Sequence, residues 1–197
     1  NIWAGTFEDG IVRINPENEM ELFSRQNGFP GMKVWSMMQD HEGNLLIGTN
    51  DNGLCVYKGD NFVSYFEEDG LINSQVNAIL ERANGTYWIG TSEGISILSR
   101  SSAGESIREF HLLQDMEIIS LKEDEEGNVW IGTLHSGLWS YSHTGELVMD
   151  EDLNVNIRHD QVTAMEIDLD NYLWIGTLDG LIYYDIENRR LESMFTR

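Results

Sequence analysis

The tetrad Trp-Ile-Gly-Thr stands at residues 88–91, again at 130–133 and again at 174–177, and looser copies precede it at 3–6 (Trp-Ala-Gly-Thr) and 46–49 (Leu-Ile-Gly-Thr). The first residues of these copies are 43, 42, 42 and 44 positions apart. A fixed period of this size means one supersecondary unit repeated, and about 40–45 residues is the length of a four-stranded propeller blade.

The copies agree well beyond the tetrad. Twelve residues upstream of its first position stand Val34, Val76, Ile118 and Val162, and ten upstream stand the small residues Ser36, Ala78, Ser120 and Ala164. Six upstream are Asp40, Arg82, Asp124 and Asp168; three upstream are Gly43, Gly85, Gly127 and Asn171. These are turn residues, because Gly and Asn tolerate positive φ and Asp bonds to nearby backbone. After each Gly-Thr a short polar loop ends in Gly10, Gly53, Gly94, Gly137 or Gly180, and an aliphatic residue follows it.

Each unit reads as four short strands, A to D, joined by hairpins. In the third unit A is 76–81, B 87–91, C 95–99 and D roughly 105–113. The fold class is all-β: a propeller of five consecutive repeats, covering about 1–30, 31–73, 74–115, 116–159 and 160–197 in one domain. The tryptophans of strand B and the tyrosines of strand C (Tyr57, Tyr141, Tyr184) are expected to fill the packing between blades. The first unit opens at its strand B, giving three strands and then four sets of four, nineteen in all. The expectation is a segment of a larger propeller or an incompletely closed ring, whose bare edges drive an isolated copy to form a homo-oligomer.

With 12 basic and 34 acidic side chains the formal net charge is -22. Such a surface repels nucleic acid phosphates and anionic lipid, so neither nucleic acid nor direct membrane contact is expected. The hydrophobic content of 41% supports a sizeable core, yet no run approaches the roughly 18 apolar residues of a membrane span. The single Cys55 falls in strand C, where it reads as a structural thiol.

Apparent catalytic and metal motifs dissolve into the repeat. Residues 90–94 match the G-x-S-x-G pattern of a nucleophile elbow, but that elbow needs a strand-to-helix turn and Ser92 sits in a strand B to strand C hairpin. The acidic turns at 40–44, 124–128 and 168–171 lack the spacing and late bidentate Glu of a calcium loop. The five histidines show no metal-ligand spacing. No cofactor and no metal are expected.

A ligand site is expected where side chains depart from the repeat on the B–C and D–A loops, which emerge together around the channel mouth. Trp35 occupies a strand A position that is Asn77, Ile119 and Thr163 elsewhere. Asn73 and Gln75 lie in the lead-in to the third unit, His135 in the B–C loop of the fourth, and Arg158, His159 and Asp160 in the long lead-in at 150–161. An aromatic ring with planar polar groups suits a sugar, which offers apolar CH faces and many hydroxyls.

The full consensus runs Val-x-Ser/Ala-Ile/Met, then Asp, Gly-Asn, Leu/Val-Trp-Ile-Gly-Thr, a polar loop, Gly-Leu and Tyr. It resembles the two-component regulator propeller repeat over essentially the whole chain. The departures are Leu46 in place of Trp, the short fourth lead-in at 114–116 and the long fifth one. The resemblance implies the extracytoplasmic, periplasmic sensor region of a membrane histidine kinase, often a hybrid kinase and regulator. It further implies an oligosaccharide ligand, the rest of the parent sensor as partner, and no catalysis by this segment. A propeller scaffold for protein association is the alternative, with a propeller lyase or glycosidase behind it.

Overall fold

The computed structural model describes residues 1–59, 61–101, 104–110, 113–149, 151–155, 157 and 161–196. They form one three-stranded and four four-stranded antiparallel sheets. The first holds β1 (Ile2–Gly5), β2 (Ile11–Ile14) and β3 (Met20–Phe23). The second holds β4 (Val34–Gln39), β5 (Leu45–Thr49), β6 (Leu54–Lys58) and β7 (Asn61–Tyr65), and the third β8 (Val76–Glu81), β9 (Tyr87–Thr91), β10 (Gly94–Ser101) and β11 (Gly104–Phe110). The fourth holds β12 (Ile118–Glu123), β13 (Val129–Thr133), β14 (Leu138–Tyr141) and β15 (Leu147–Met149); the fifth holds β16 (Val162–Ile167), β17 (Tyr172–Thr177), β18 (Gly180–Asp185) and β19 (Arg190–Thr196). Each sheet is a meander in chain order. The inner strands stand side by side in an arc, β4 against β8, β8 against β12 and β12 against β16. This is the propeller architecture expected from the period, with nineteen strands among the described residues.

Local chemistry explains the recurring tetrad. The Thr hydroxyl donates to the carbonyl of the loop glycine in all five sheets, from Thr6 to Gly10, Thr49 to Gly53, Thr91 to Gly94, Thr133 to Gly137 and Thr177 to Gly180, at 2.7–3.1 Å. The same oxygen accepts a backbone N–H of the loop, closing the hairpin. The tetrad glycine has a different cause. A Cβ at Gly5, Gly90 or Gly132 would lie 2.6 Å from a methyl of Val34, Ile118 or Val162, the first residue of the next sheet's inner strand. The glycine is therefore the socket for the neighbouring blade.

The turn Asp and the Trp belong to one device. Asp124 accepts from the backbone of Glu126 and Asn128 with one oxygen and from the Trp130 indole at 3.0 Å with the other. Asp168 repeats this with Trp174 at 2.8 Å. In the third unit Arg82 replaces the Asp and lies over the Trp88 ring, 5.1 Å from its centroid, while its Nε donates to Glu123 of the next sheet.

Between blades each Trp meets the strand C tyrosine of the following sheet: Trp3 with Tyr57, Trp88 with Tyr141 and Trp130 with Tyr184, at 5.3–5.8 Å. Trp88 and Trp130 are 2% and 7% exposed. Trp174 departs from the expected burial. It is half-buried and lies 4.2 Å from Tyr183 of its own sheet with the rings tilted at 42°, and among the described residues no tyrosine of another sheet meets it.

Two boundaries also differ from expectation. Strands C and D of the third unit pair further towards their connection, Ser101 opposite Gly104, and D ends at Phe110. The long lead-in of the fifth unit begins as a short helix, α1 (Glu151–Asn154), in a chain read as all-β. Leu153 and Ile157 are buried in the core beneath the fifth sheet. The Asn154 amide both accepts from and donates to the backbone of Leu138, replacing the bonds a strand D residue would make.

Candidate functional site

All four complete inner strands carry the same irregularity. The register shifts between Val34 and Ser36, Val76 and Ala78, Ile118 and Ser120, and Val162 and Ala164. The extra residue is Trp35, Asn77, Ile119 or Thr163. A bulge re-aims its side chain and is common beside binding sites. Here it turns one residue per blade out of the ladder at the start of the inner strand, where the B–C hairpins and the lead-ins converge.

Two further variable positions flank the first three of these bulges. The N–H of Asn50 donates to the carbonyl of Lys33, Ser92 to Gln75 and Leu134 to Glu117, at 2.9–3.2 Å. Each of these three blades thus sets a lead-in residue, a bulge residue and a hairpin residue together on one backbone frame. Their identities change from blade to blade, Lys33/Trp35/Asn50, then Gln75/Asn77/Ser92, then Glu117/Ile119/Leu134, while the frame does not.

Of the residues expected in a site, Asn73 and Gln75 come together. The Gln75 N–H donates to Asn73 Oδ1 at 2.7 Å, the Ser92 hydroxyl donates to the same oxygen at 2.8 Å, and Gln75 Nε2 donates to Asn77 Oδ1 at 3.3 Å. Ser92 lies between β9 and β10 with its hydroxyl given to an amide, which is the wrong partner and the wrong turn for a nucleophile. Trp35 stands on the adjoining blade, 53% exposed, its indole donating to Asn50 Oδ1 at 2.9 Å. His135 is exposed on the fourth hairpin. Arg158, His159 and Asp160 lie outside the described residues. Phe7 and Lys33 escaped the sequence reading; the signal was available, since each stands at a position that varies from unit to unit.

The most heavily bonded polar cluster lies at the opposite pole, beyond the ends of β4 and β8. Arg100 donates to Asp40, Glu42, Tyr87 and Glu105 at 2.8–3.1 Å. Tyr87 donates to Asp40 and Glu81, and His41 is ion-paired with Glu81. Burial pushes the Asp40 carboxyl up, but hydrogen bonds from Asn44, Arg100 and Tyr87 outweigh it and hold the group below the usual carboxylate range. Burial pushes the Tyr65 and Tyr87 hydroxyls upward. With Leu46 in place of the tetrad Trp, Asp40 has no indole to bind, and the third sheet supplies Tyr87 and Arg100 instead. This cluster clamps two blades together. An open cleft of about 510 Å³ beside it is lined by His41, Glu81, Arg82 and the turn at 83–85. Those are architectural turn and clamp residues, so we place the candidate site at the mouth and not in this cleft.

Comparison with known proteins accords with this frame. The family described as two component regulator propeller matches residues 28–51, 70–93 and 112–135. These three segments carry two-component regulator propeller repeats. It is similar to Histidine kinase P4 of Formosa agariphila, 23% identical over 215 residues that cover 96% of this chain and 15% of that protein. Two solved extracellular domains of hybrid two component systems from B. thetaiotaomicron share the fold. One is 22% identical with a TM-score of 0.81 over 99% of this chain and 26% of that one; the other is 25% identical with a TM-score of 0.77 over 92% and 25%. The chain therefore spans about a quarter or less of the length of these relatives.

Proposed function

We propose that this chain is a non-catalytic, ligand-sensing propeller segment in the extracytoplasmic, periplasmic part of a two-component sensor, and that its ligand is an oligosaccharide. The repeated bulge carries this reading. A constant backbone frame that presents different side chains in each blade is a recognition surface, and the amides at 50, 73, 75 and 77 with the Trp35 ring suit hydroxyl-rich partners with apolar faces. The repeat family and the sensor relatives support the signalling role. The test is an array of bacterial, plant and algal oligosaccharides probed with the purified chain, followed by chromatography of the bound glycan. Retention without new products is expected; shortened or unsaturated products would make the segment an enzyme, and an array with no retained glycan would remove the oligosaccharide.

A second reading, association between copies, rests on the fifth sheet. Trp174 is half-buried, and the closest atoms to a Cβ at Gly176 belong to Thr163 and Ala164 of the same sheet. Burying such apolar surface contributes about 25 cal/mol per Å². Sedimentation of the isolated chain at moderate ionic strength is expected to show a dimer or larger species, against the repulsion of its net charge of -22. A monomer at high concentration would refute this.

A further inference from the structure

Two positions that the repeat leaves free carry aromatic side chains, and the fold brings them together. Trp35 fills the bulge that holds Asn77, Ile119 and Thr163 in other blades, and Phe7 follows the hairpin Thr where other units have Asn50, Ser92, Leu134 and Leu178. Neither ring serves the core, being 53% and 63% exposed. Their centroids are 6.5 Å apart with planes at 71°, so they form a corner. Backbone and side chain hold it from behind: the Val34 N–H donates to Thr6 at 3.0 Å across the blade junction, and Asn50 fixes the indole.

The rim of this corner is made of donors. Asn50 Oδ1 accepts from the Trp35 indole, and its Nδ2 has no partner among the described residues. Lys33 Nζ lies 5.0 Å from the Phe7 centroid and meets no carboxylate among the described residues. The other two lysines are ion-paired, Lys58 with Glu105 and Lys122 with Glu166. In a chain with 34 acidic residues, an ammonium left unpaired beside exposed aromatics is available for an incoming anion. The nearby Asp51 is held by Arg25 at 3.2 Å. A cation, which bare aromatic faces would attract, is repelled by Lys33.

We propose that Phe7, Lys33, Trp35 and Asn50 form a subsite for the pyranose ring of a uronic acid residue. Its CH face lies on the indole of Trp35 with Phe7 as the side wall, its carboxylate meets Lys33, and a ring hydroxyl accepts from Asn50 Nδ2. This rests on the oligosaccharide-sensing reading and narrows it to acidic glycans. The chain's negative charge opposes anions at long range, but the screening length at physiological ionic strength is about 8 Å, so the groups inside the corner decide.

The test titrates the chain with a glucuronic-acid-containing disaccharide and with cellobiose, by tryptophan fluorescence and calorimetry. The acidic disaccharide is expected to bind about tenfold or more tightly than the neutral one. Trp35→Ala lowers affinity for both by a similar factor, and Lys33→Met removes the preference while leaving the neutral affinity, with melting temperatures unchanged because Trp35 is exposed and Met keeps the packing of the half-buried Lys33 stem. Acidic binding that survives Trp35→Ala overturns the subsite and leaves the sensing reading intact. Equal affinity for the two disaccharides overturns the acidic preference. Failure of both to bind overturns the subsite, while the glycan array tests the wider reading separately.

Discussion

Replacing Gly132 by Ala, with Gly176→Ala as its internal control, separates inter-blade packing from backbone need. Both glycines occupy the same place in the tetrad, and neither has a left-handed φ. A Cβ at 132 would sit 2.6 Å from Val162 Cγ1 and 3.1 Å from Val162 Cβ, more than 1 Å inside ordinary carbon contact in the first case. Val is stiff at χ1 and its strand is fixed by the ladder, so the clash moves backbone. Overpacking of this kind costs about 1–3 kcal/mol, offset by about 0.4–1 kcal/mol from the lower entropy of an unfolded Ala. The net expectation is a loss of about 1–2 kcal/mol, or roughly 2–8 °C in melting temperature for a chain of this size. At Gly176 the three nearest atoms, led by Thr163 Oγ1 at 3.0 Å, all belong to its own sheet. Gly176→Ala should therefore leave the melting temperature unchanged or raise it by about 1–3 °C. Thermal and urea melts followed by circular dichroism read both. Equal losses in the two variants would show that the glycine answers a local backbone requirement, refuting the socket.

Trp130→Ala should destabilise by about 3–5 kcal/mol in urea melts, and Trp174→Ala by clearly less, since only the former lies against the tyrosine of a following blade. Asp40 has its folded pKa depressed, so its contribution is complete above the unfolded value and is lost as pH falls through the folded one. Arg100→Met should then move acid unfolding, followed by intrinsic fluorescence, to higher pH; a shift to lower pH would refute the clamp. The Cys55 thiol is fully buried and pushed up to about 11 by that burial. It should resist a thiol reagent at pH 8 in the native protein and react in denaturant.

The fold was legible because its signals are short-range and repeated. Thr133 reaches Gly137 four residues away, Asp124 reaches Trp130 six away, and both bonds recur in the fifth unit. The site was legible only in part. Trp35, Asn73 and Gln75 stood out as departures from the repeat, but the bulge that aims Trp35 is a shift in pairing with β5, which no residue type announces. The Arg100 clamp was invisible because its partner Asp40 is 60 residues away, and only the absence of a Trp at position 46 hinted that Asp40 would need another donor.

Sequence by itself determined the blade, its hairpins and their order, since each depends on contacts closed within a few residues and on a pattern written five times. The tertiary structure decided what the copies could not distinguish. The same Trp-Ile-Gly-Thr is sealed in the fourth blade and half-open in the fifth, and Phe7 meets Trp35 across 28 positions of chain. Both outcomes depend on whether a neighbouring blade stands against the residue. Local propensity carries no information about that neighbour, which only the stacking of blades supplies.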